Sequence, residues 1–400
     1  MTSEYALNRI CKVSDGTDLN RFVGVKLING IPEVWFPLGY NLSSDEDELR
    51  NDVILLVKVL KNFYNKEESS LKHSNQRLTQ SQFPFLAYQR MILRYLNYGN
   101  YNEFENTFVS DDKGKINWAR TIKNKKPLFT SNGPVYTEYI VKKSQPLENS
   151  LIAEIYQYCV YCSFKYIGWL YTQKTIKKPK LKFNKKLFTA TVRNKLNTIN
   201  TDSGKELFTD MLTIIDSMSD EGFKHQNFLY GTYAFEYVWE KLIDYAFGIK
   251  NKKDFFPKSY WHIPNKIDNH ALEPDTILIK DTAIYLLDAK YYRFGVTGNP
   301  KHLPETSSIH KQITYGEYID VNSKFKFDNI YNAFLMPSDL KSGPFKNDNW
   351  LFNIGYASSG WKDGNKSYEK ILGILIDTKY LMKNYLDRIK LTDEIILLFK

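Results

Sequence analysis

Two aspartates and a lysine flank two short apolar runs in a pattern that can do chemistry. Leu272-Glu273-Pro274-Asp275 leads into Thr276–Ile279, and Ala283–Leu287 leads out into Asp288-Ala289-Lys290. Read as a hairpin turning at Asp281-Thr282, the runs pair Lys280 with Ala283 and Ile279 with Ile284. That register carries Asp275 opposite Asp288. Opposed residues hold their Cβ atoms about 4.5–5.5 Å apart on one face, and Lys290, two residues past Asp288, points the same way. A one-residue slip would separate the carboxylates. Carboxylates this close repel, and both ionise cheaply only around a cation. Oxygen donors without Cys or His suit Mg²⁺, with Mn²⁺ as a substitute. A neighbouring ammonium can orient or help deprotonate an attacking water and offset charge on a phosphoryl oxygen. An apolar strand that stops abruptly at Asp-Ala-Lys breaks the local pattern, as functional sites tend to.

Other elements must position these groups. A helix expected over Tyr230–Phe247 carries Glu236 and Glu240 on one face, four residues apart. A helix expected near Ile309–Ile319 puts Gln312 and Tyr315 on one face. Strands are expected at Ile330–Met336 and Ile371–Ile376, and a helix at Lys379–Ile389. Strands mixed with helices from about residue 222 predict an α/β (α+β) domain over 222–400. The preceding 1–221 reads as mixed and largely helical. It opens with a hairpin over Phe22–Leu38 that turns at Asn29-Gly30, with Pro32 and Pro37 suggesting an edge strand. Ser43 with Glu46 gives a capping-box signal for a helix through Val53 and Leu60. Further helices are expected at Phe85–Asn97, Leu151–Tyr171, Phe188–Leu196 and Lys205–Met218, with Val135–Val141 extended.

The chain has 400 residues, 42% hydrophobic and 25% charged, which excludes disordered, collagen-like and disulfide-scaffold classes. Lys and Arg total 55 against 45 acidic residues, a net charge of +10 that fits a polyanion partner without requiring one. Seven lysines fall in the acid-free stretch Lys174–Lys186. Such a run is a solvated loop or a phosphate contact. Lys177, Lys178, Lys180 and Lys182, with Arg120 and Arg193, are the candidate DNA contacts; Arg90 and Arg94 join Arg120 and Arg193 as candidate base readers. The three cysteines fit a reducing cytoplasm, and Cys159 and Cys162 read as core thiols in an apolar helix. Met1–Asp15 has no secretory signal pattern, and no apolar run predicts a membrane span.

Pro274-Asp275 and Asp288-Ala289-Lys290 resemble the PD-(D/E)XK nuclease superfamily. The resemblance implies a restriction-endonuclease-like domain with a mixed central sheet flanked by helices. It implies Asp275 and Asp288 as metal ligands, Lys290 as the residue that orients or activates water, and a helical Glu, best matched by Glu240, as an outer or second-metal ligand. Gln312 fits the position of a supporting contact. The extra acid Glu273 departs from the pattern and either faces away or adds a ligand. Gly24-Val25-Lys26, Gly30–Tyr40, Gly114–Ile122 and Tyr158–Tyr161 further resemble the LlaJI family of restriction endonucleases, essentially along the whole chain. That family is similar to McrC-type subunits working with an AAA+ GTPase. The implied function is Mg²⁺-dependent cleavage of double-stranded DNA in restriction of foreign DNA, beside a cognate methyltransferase. Residues 1–221 would recognise DNA or dock a partner. This chain has no G-x-x-x-x-G-K-[ST] motif, so GTP use would belong to a McrB-like partner. Cutting two strands calls for a homodimer or two converging complexes. The alternatives are a McrC-like subunit active only with its AAA+ GTPase partner, a non-catalytic DNA-binding or docking protein, and a repair or recombination nuclease.

Overall fold

The computed structural model describes residues 7–64, 83–147, 150–219, 222–223, 227–262, 267–268 and 271–399. Residues 1–6, part of the segment read for a secretory signal, lie outside them. The chain divides into two compact units, residues 1–81 with 226–400, and residues 82–225. The sequence predicts one boundary near 222. A cut does fall there, but the first 81 residues join the C-terminal unit. The reason is a strand pairing: Phe228–Thr232 runs antiparallel to Val23–Ile28, with Gly231 opposite Gly24. The two glycines let these backbones meet closely, since a Cβ on Gly24 would lie 2.3 Å from the Tyr230 carbonyl oxygen. The pairing also corrects the helix expected from Tyr230, which begins only at Phe235.

The C-terminal unit is built on a five-stranded sheet in the order Thr276–Lys280, Ala283–Ala289, Asn329–Ser338, Ile371–Asp377, Leu351–Ala357. The outer pairings are antiparallel and the three inner strands are parallel. Parallel strands are covered on both faces, which is why these segments read as mostly apolar runs. Helix Thr306–Val321 covers one face, packing Ile313, Tyr315 and Ile319 on Ile277, Ile284, Leu286 and Phe334. Helix Phe235–Phe247 packs on the two hairpin strands and buries Val238, Trp239, Leu242 and Ile243. Strand Leu351–Ala357 was not foreseen; most of its residues are partly or fully exposed, so it lacks the apolar run of its neighbours. The helix expected at Lys379–Ile389 is two helices, Thr378–Asn384 and Arg388–Ile396.

The second sheet of this unit has the order Cys11–Val13, Ile31–Phe36, Val23–Ile28, Phe228–Thr232. Asn29 and Gly30 turn the hairpin at positive φ, 52° and 78°. Ile31–Phe36 is not an edge strand, because Cys11–Val13 pairs with Val34–Phe36; its Pro32 end stays outside that pairing. The helix Glu46–Tyr64 is capped by Asp45, whose carboxylate accepts from Glu48 N–H at 2.9 Å. Ser43 instead donates to Asp52. Glu33 accepts from Lys12, Lys26 and Trp35 at 2.8–2.9 Å. Burial works against its charge, but these donors outweigh it and hold its pKa at about 2. A depressed carboxyl adds stability above its unfolded pKa and loses it as pH falls towards the folded one. Glu33→Gln should therefore lower the melting temperature at neutral pH, with the loss shrinking as the pH drops from about 5 towards 2.

The other unit packs helices Phe85–Tyr98, Leu151–Ile167, Lys185–Thr198 and Asp202–Asp216. Cys159 and Cys162 are buried in it as free thiols, as expected of core residues. Burial pushes the Cys162 thiol up to about 12, which disfavours a free thiolate there. Between the first two helices lies a small sheet in the order Phe104–Ser110, Ile140–Pro146, Lys115–Ile116, with helix Trp118–Asn124 and hairpin Leu128–Thr130/Gly133–Val135. The expected extended stretch Val135–Val141 is thus the end of one strand and the start of another. Among the described residues, no helix is long and apolar enough to cross a membrane.

Candidate active site

The hairpin forms in the predicted register, with Thr276 opposite Leu287, Ile279 opposite Ile284 and Lys280 opposite Ala283. Asp281 supplies the turn at φ 54°, a left-handed conformation that Asp tolerates. Continuing the ladder sets Asp275 against Asp288. Asp275 Oδ2 accepts from the Ala289 N–H at 3.0 Å, and its carboxyl feels the Asp288 charge. Lys290 Nζ reaches Asp288 Oδ2 at 2.6 Å. Asp288 is only 4% exposed.

The electrostatics follow from this packing. Burial, then the charges of Asp288 and Glu240, push Asp275 up to about 8. Burial disfavours the Lys290 charge, but Asp288 and Asp275 outweigh it and the ammonium is held more firmly than usual. Glu240 is raised by burial and then by Asp288, so it shares the field of the pair. Glu236, one turn earlier, instead pairs with Arg21 at 2.9 Å. Of the two candidate helical acids, Glu240 is therefore the one coupled to the hairpin. Among the described residues no three His, Cys, Asp or Glu side chains form a ready-made ion cage. Two carboxylates with water completing the shell is the manner in which Mg²⁺ is usually held. The donor set fits, because a cation would relieve the repulsion that raises Asp275.

The partners of the supporting residues were not legible in the sequence. Gln312 is buried, and its Nε2 donates to Leu286 O at 2.7 Å and to Asn332 Oδ1 at 3.3 Å. It braces the strand two residues before Asp288. Asn332 closes the network by donating to Gln312 O and Tyr368 O. Gln312→Leu should lower the unfolding free energy by about 1–3 kcal/mol, measured by urea denaturation, because it strands buried polar partners. Tyr315 donates to Glu273 O at 3.0 Å and steadies the approach to Asp275, while the Glu273 side chain is exposed. Lys252 donates to the Asp275 carbonyl and to Asp244 Oδ1. It sits in a lysine-rich loop with no distinguishing pattern, so no signal in the sequence could have singled it out.

The expected DNA contacts all lie in the other unit. Lys177, Lys178 and Lys180 line a cavity of about 580 Å³ with Tyr95, Asn100 and Gln157. Lys182 and Arg193 are exposed. The Arg120 guanidinium stacks 3.9 Å from the Phe108 ring centre. The Arg90 guanidinium pairs with the buried Asp210 carboxylate, with Nε at 2.7 Å.

The model of the LlaJI restriction endonuclease family matches residues 22–352, a span that holds all five candidate site residues. This chain belongs to the LlaJI restriction endonuclease family. A Bacillus subtilis (strain 168) protein described as a type II restriction enzyme BsuMI component, YdjA, is 25% identical over 353 residues, 83% of this chain and 75% of its own. A chain from a refined half-complex of a tetradecameric assembly of Thermococcus gammatolerans McrB AAA+ hexamers with bound McrC aligns over 93% of this chain and 82% of its own. Its identity is 14% and its TM-score 0.36. As a LlaJI-family member the chain is a restriction-system nuclease, on the PD-(D/E)XK type of α/β sheet described above.

Proposed function

We propose that this LlaJI-family chain is a Mg²⁺-dependent, type II-like endonuclease that hydrolyses phosphodiester bonds in double-stranded DNA. The observation that carries the reading is the opposed Asp275–Asp288 pair, Asp288 buried and Asp275 partly so, with Lys290 Nζ 2.6 Å from Asp288. Asp275 and Asp288 would hold the ion, with Glu240 as an outer or second-ion ligand. When bound, Mg²⁺ supplies charge that polarises the phosphoryl group and eases deprotonation of water; Mn²⁺ meets the same donor chemistry. Lys290 orients the attacking water and offsets charge growing on a phosphoryl oxygen. Gln312 keeps the Asp288 strand in place. Lys177, Lys178, Lys180, Lys182, Arg120 and Arg193 would contact DNA, and the residue 82–225 unit would carry recognition or docking. Incubating the protein with plasmid in Mg²⁺ and in EDTA tests the reading. Cleavage in Mg²⁺ alone, leaving 5′-phosphate and 3′-hydroxyl ends, is expected; equal cutting in EDTA would overturn it.

A second reading makes the chain a nuclease subunit that cuts only beside a partner, such as an AAA+ GTPase. The description of the Bacillus relative as a component favours it. So do Trp118, Ile122, Leu128 and Phe129, all more than half exposed on the small-sheet module, Phe129 at 83%. Apolar side chains clustered at a surface mark protein contacts. Site-specific cutting by the purified chain alone would eliminate this version.

A further inference from the structure

Lys290 lies one residue past Ala289, the last paired position of its strand, so the ladder reaches its backbone only through the final bond. Its N–H donates to Leu335 O at 2.9 Å, and Trp239 Nε1 donates to the same oxygen at 3.1 Å. The next residue, Tyr291, packs its ring 5.4 Å from Phe235 and 6.2 Å from Trp239, centre to centre. Both aromatic partners sit on the helix that carries Glu240. The Tyr291 hydroxyl oxygen accepts from the Leu38 N–H at 2.6 Å.

Leu38 belongs to the segment that leaves the N-terminal hairpin, and it is 1% exposed. Its carbonyl accepts from Thr378 Oγ1 at 3.0 Å, just past the end of strand Ile371–Asp377. One residue from the start of the chain is therefore tied beside Lys290 on one side and beyond another parallel strand on the other. Gly39 follows at φ 70°, and a Cβ there would lie 2.8 Å from the Ser338 backbone. No other residue lets the segment sit this close to the ends of the parallel strands.

We infer that Tyr291 is a positioning residue for Lys290, held in place by the Leu38–Gly39 segment. The inference rests on the nuclease reading of Lys290. Removing the Tyr291 hydroxyl leaves the buried Leu38 N–H without its acceptor. The ring and the Lys290 backbone are then free to shift, and small errors of position are costly at a reacting centre. Gly39→Ala pushes on the same contact from the other side. The device adds a second tie, beside the strand pairing, between the N-terminal segment and the nuclease unit, and it makes residues 222–400 alone an incomplete nuclease.

The test uses the full chain in its complete restriction system and compares Tyr291→Phe, Gly39→Ala, their combination and Lys290→Ala. The single-turnover cleavage rate of Tyr291→Phe at saturating DNA should fall about tenfold, with the half-saturating DNA concentration unchanged. Hydrogen exchange at the Leu38 amide should quicken. Gly39→Ala should lower the rate similarly, and the combination should lose no more than the worse single variant, because both act on one contact. A wild-type rate for Tyr291→Phe, or losses that multiply in the combination, would overturn the inference. If Lys290→Ala is inactive while Tyr291→Phe is unaffected, only the positioning claim falls. If Lys290→Ala cuts at the wild-type rate, the catalytic reading of Lys290 falls and this claim with it.

Discussion

Lys290→Ala should lower phosphodiester cleavage by about 10²–10³-fold, the usual loss when one preorganised charge at a transition state is removed, with duplex binding retained. The same change strands Asp288, which is 4% exposed and loses the ammonium 2.6 Å away. Breaking a buried pair from one side costs about 3–5 kcal/mol, so a simple loss of activity could reflect a loosened fold. Lys290→Arg separates the two effects. It keeps the charge and much of the pairing, but its flat, forked head cannot hold a water where a compact ammonium does. The expected result is that Arg restores the melting temperature and leaves cleavage low. Full cleavage in Lys290→Ala, or full rescue by Arg, would reduce Lys290 to a structural counter-ion. Assays at saturating Mg²⁺ and well below the melting temperature keep the comparison clean.

The hairpin was legible because its information is local. Turn position, alternation and a short separation fix which residues face each other, and Asp275 and Asp288 meet from thirteen residues apart in sequence. Glu240 could be narrowed to one of two acids by helical spacing, but only the structure shows Glu236 spent on Arg21. The parallel strands Asn329–Ser338 and Ile371–Asp377 announced themselves through buried, mostly apolar runs. What escaped was long-range. The pairing of Phe228–Thr232 with Val23–Ile28 joins segments about two hundred residues apart, and its sequence mark is two glycines that any loop could carry. A tyrosine was visible after Lys290, yet its partner is a backbone N–H at Leu38, and backbone donors leave no trace in composition. Gln312 was found by its place on a helix, whereas its partner Asn332 is a lone polar residue in the interior of an otherwise apolar strand, with nothing in the sequence to link the two. The cap of Glu46–Tyr64 went to Asp45 because its carboxylate meets Glu48 N–H, which freed Ser43 to join the Asp52–Lys379 pair.

Asp275→Asn should abolish Mg²⁺-dependent cleavage and yet raise the stability of the metal-free protein, by about 1–2 kcal/mol, the scale of a typical stabilising substitution. Asp275 is a partly buried acid in the field of Asp288 and Glu240, and its pKa stands at about 8, well above an ordinary carboxyl. The sign follows from that direction. An acid whose pKa is raised on folding costs nothing below its unfolded pKa, near 4, and the cost is fully present above the folded value. Between about pH 4 and pH 8 the metal-free wild type should therefore lose stability relative to the Asn variant as pH rises. An amide oxygen can still accept from the Ala289 N–H, so the substitution removes the charge without stranding that donor. Saturating Mg²⁺ should reverse the ranking, because ligand that binds only the folded state stabilises it by mass action and the Asn variant lacks a ligand. Thermal melts of both proteins in EDTA and in Mg²⁺, from pH 5 to pH 8, read the whole pattern. An Asn variant that melts below wild type in EDTA across that range would mean that the carboxylate is structurally paired, and the pair would lose its standing as a cation site.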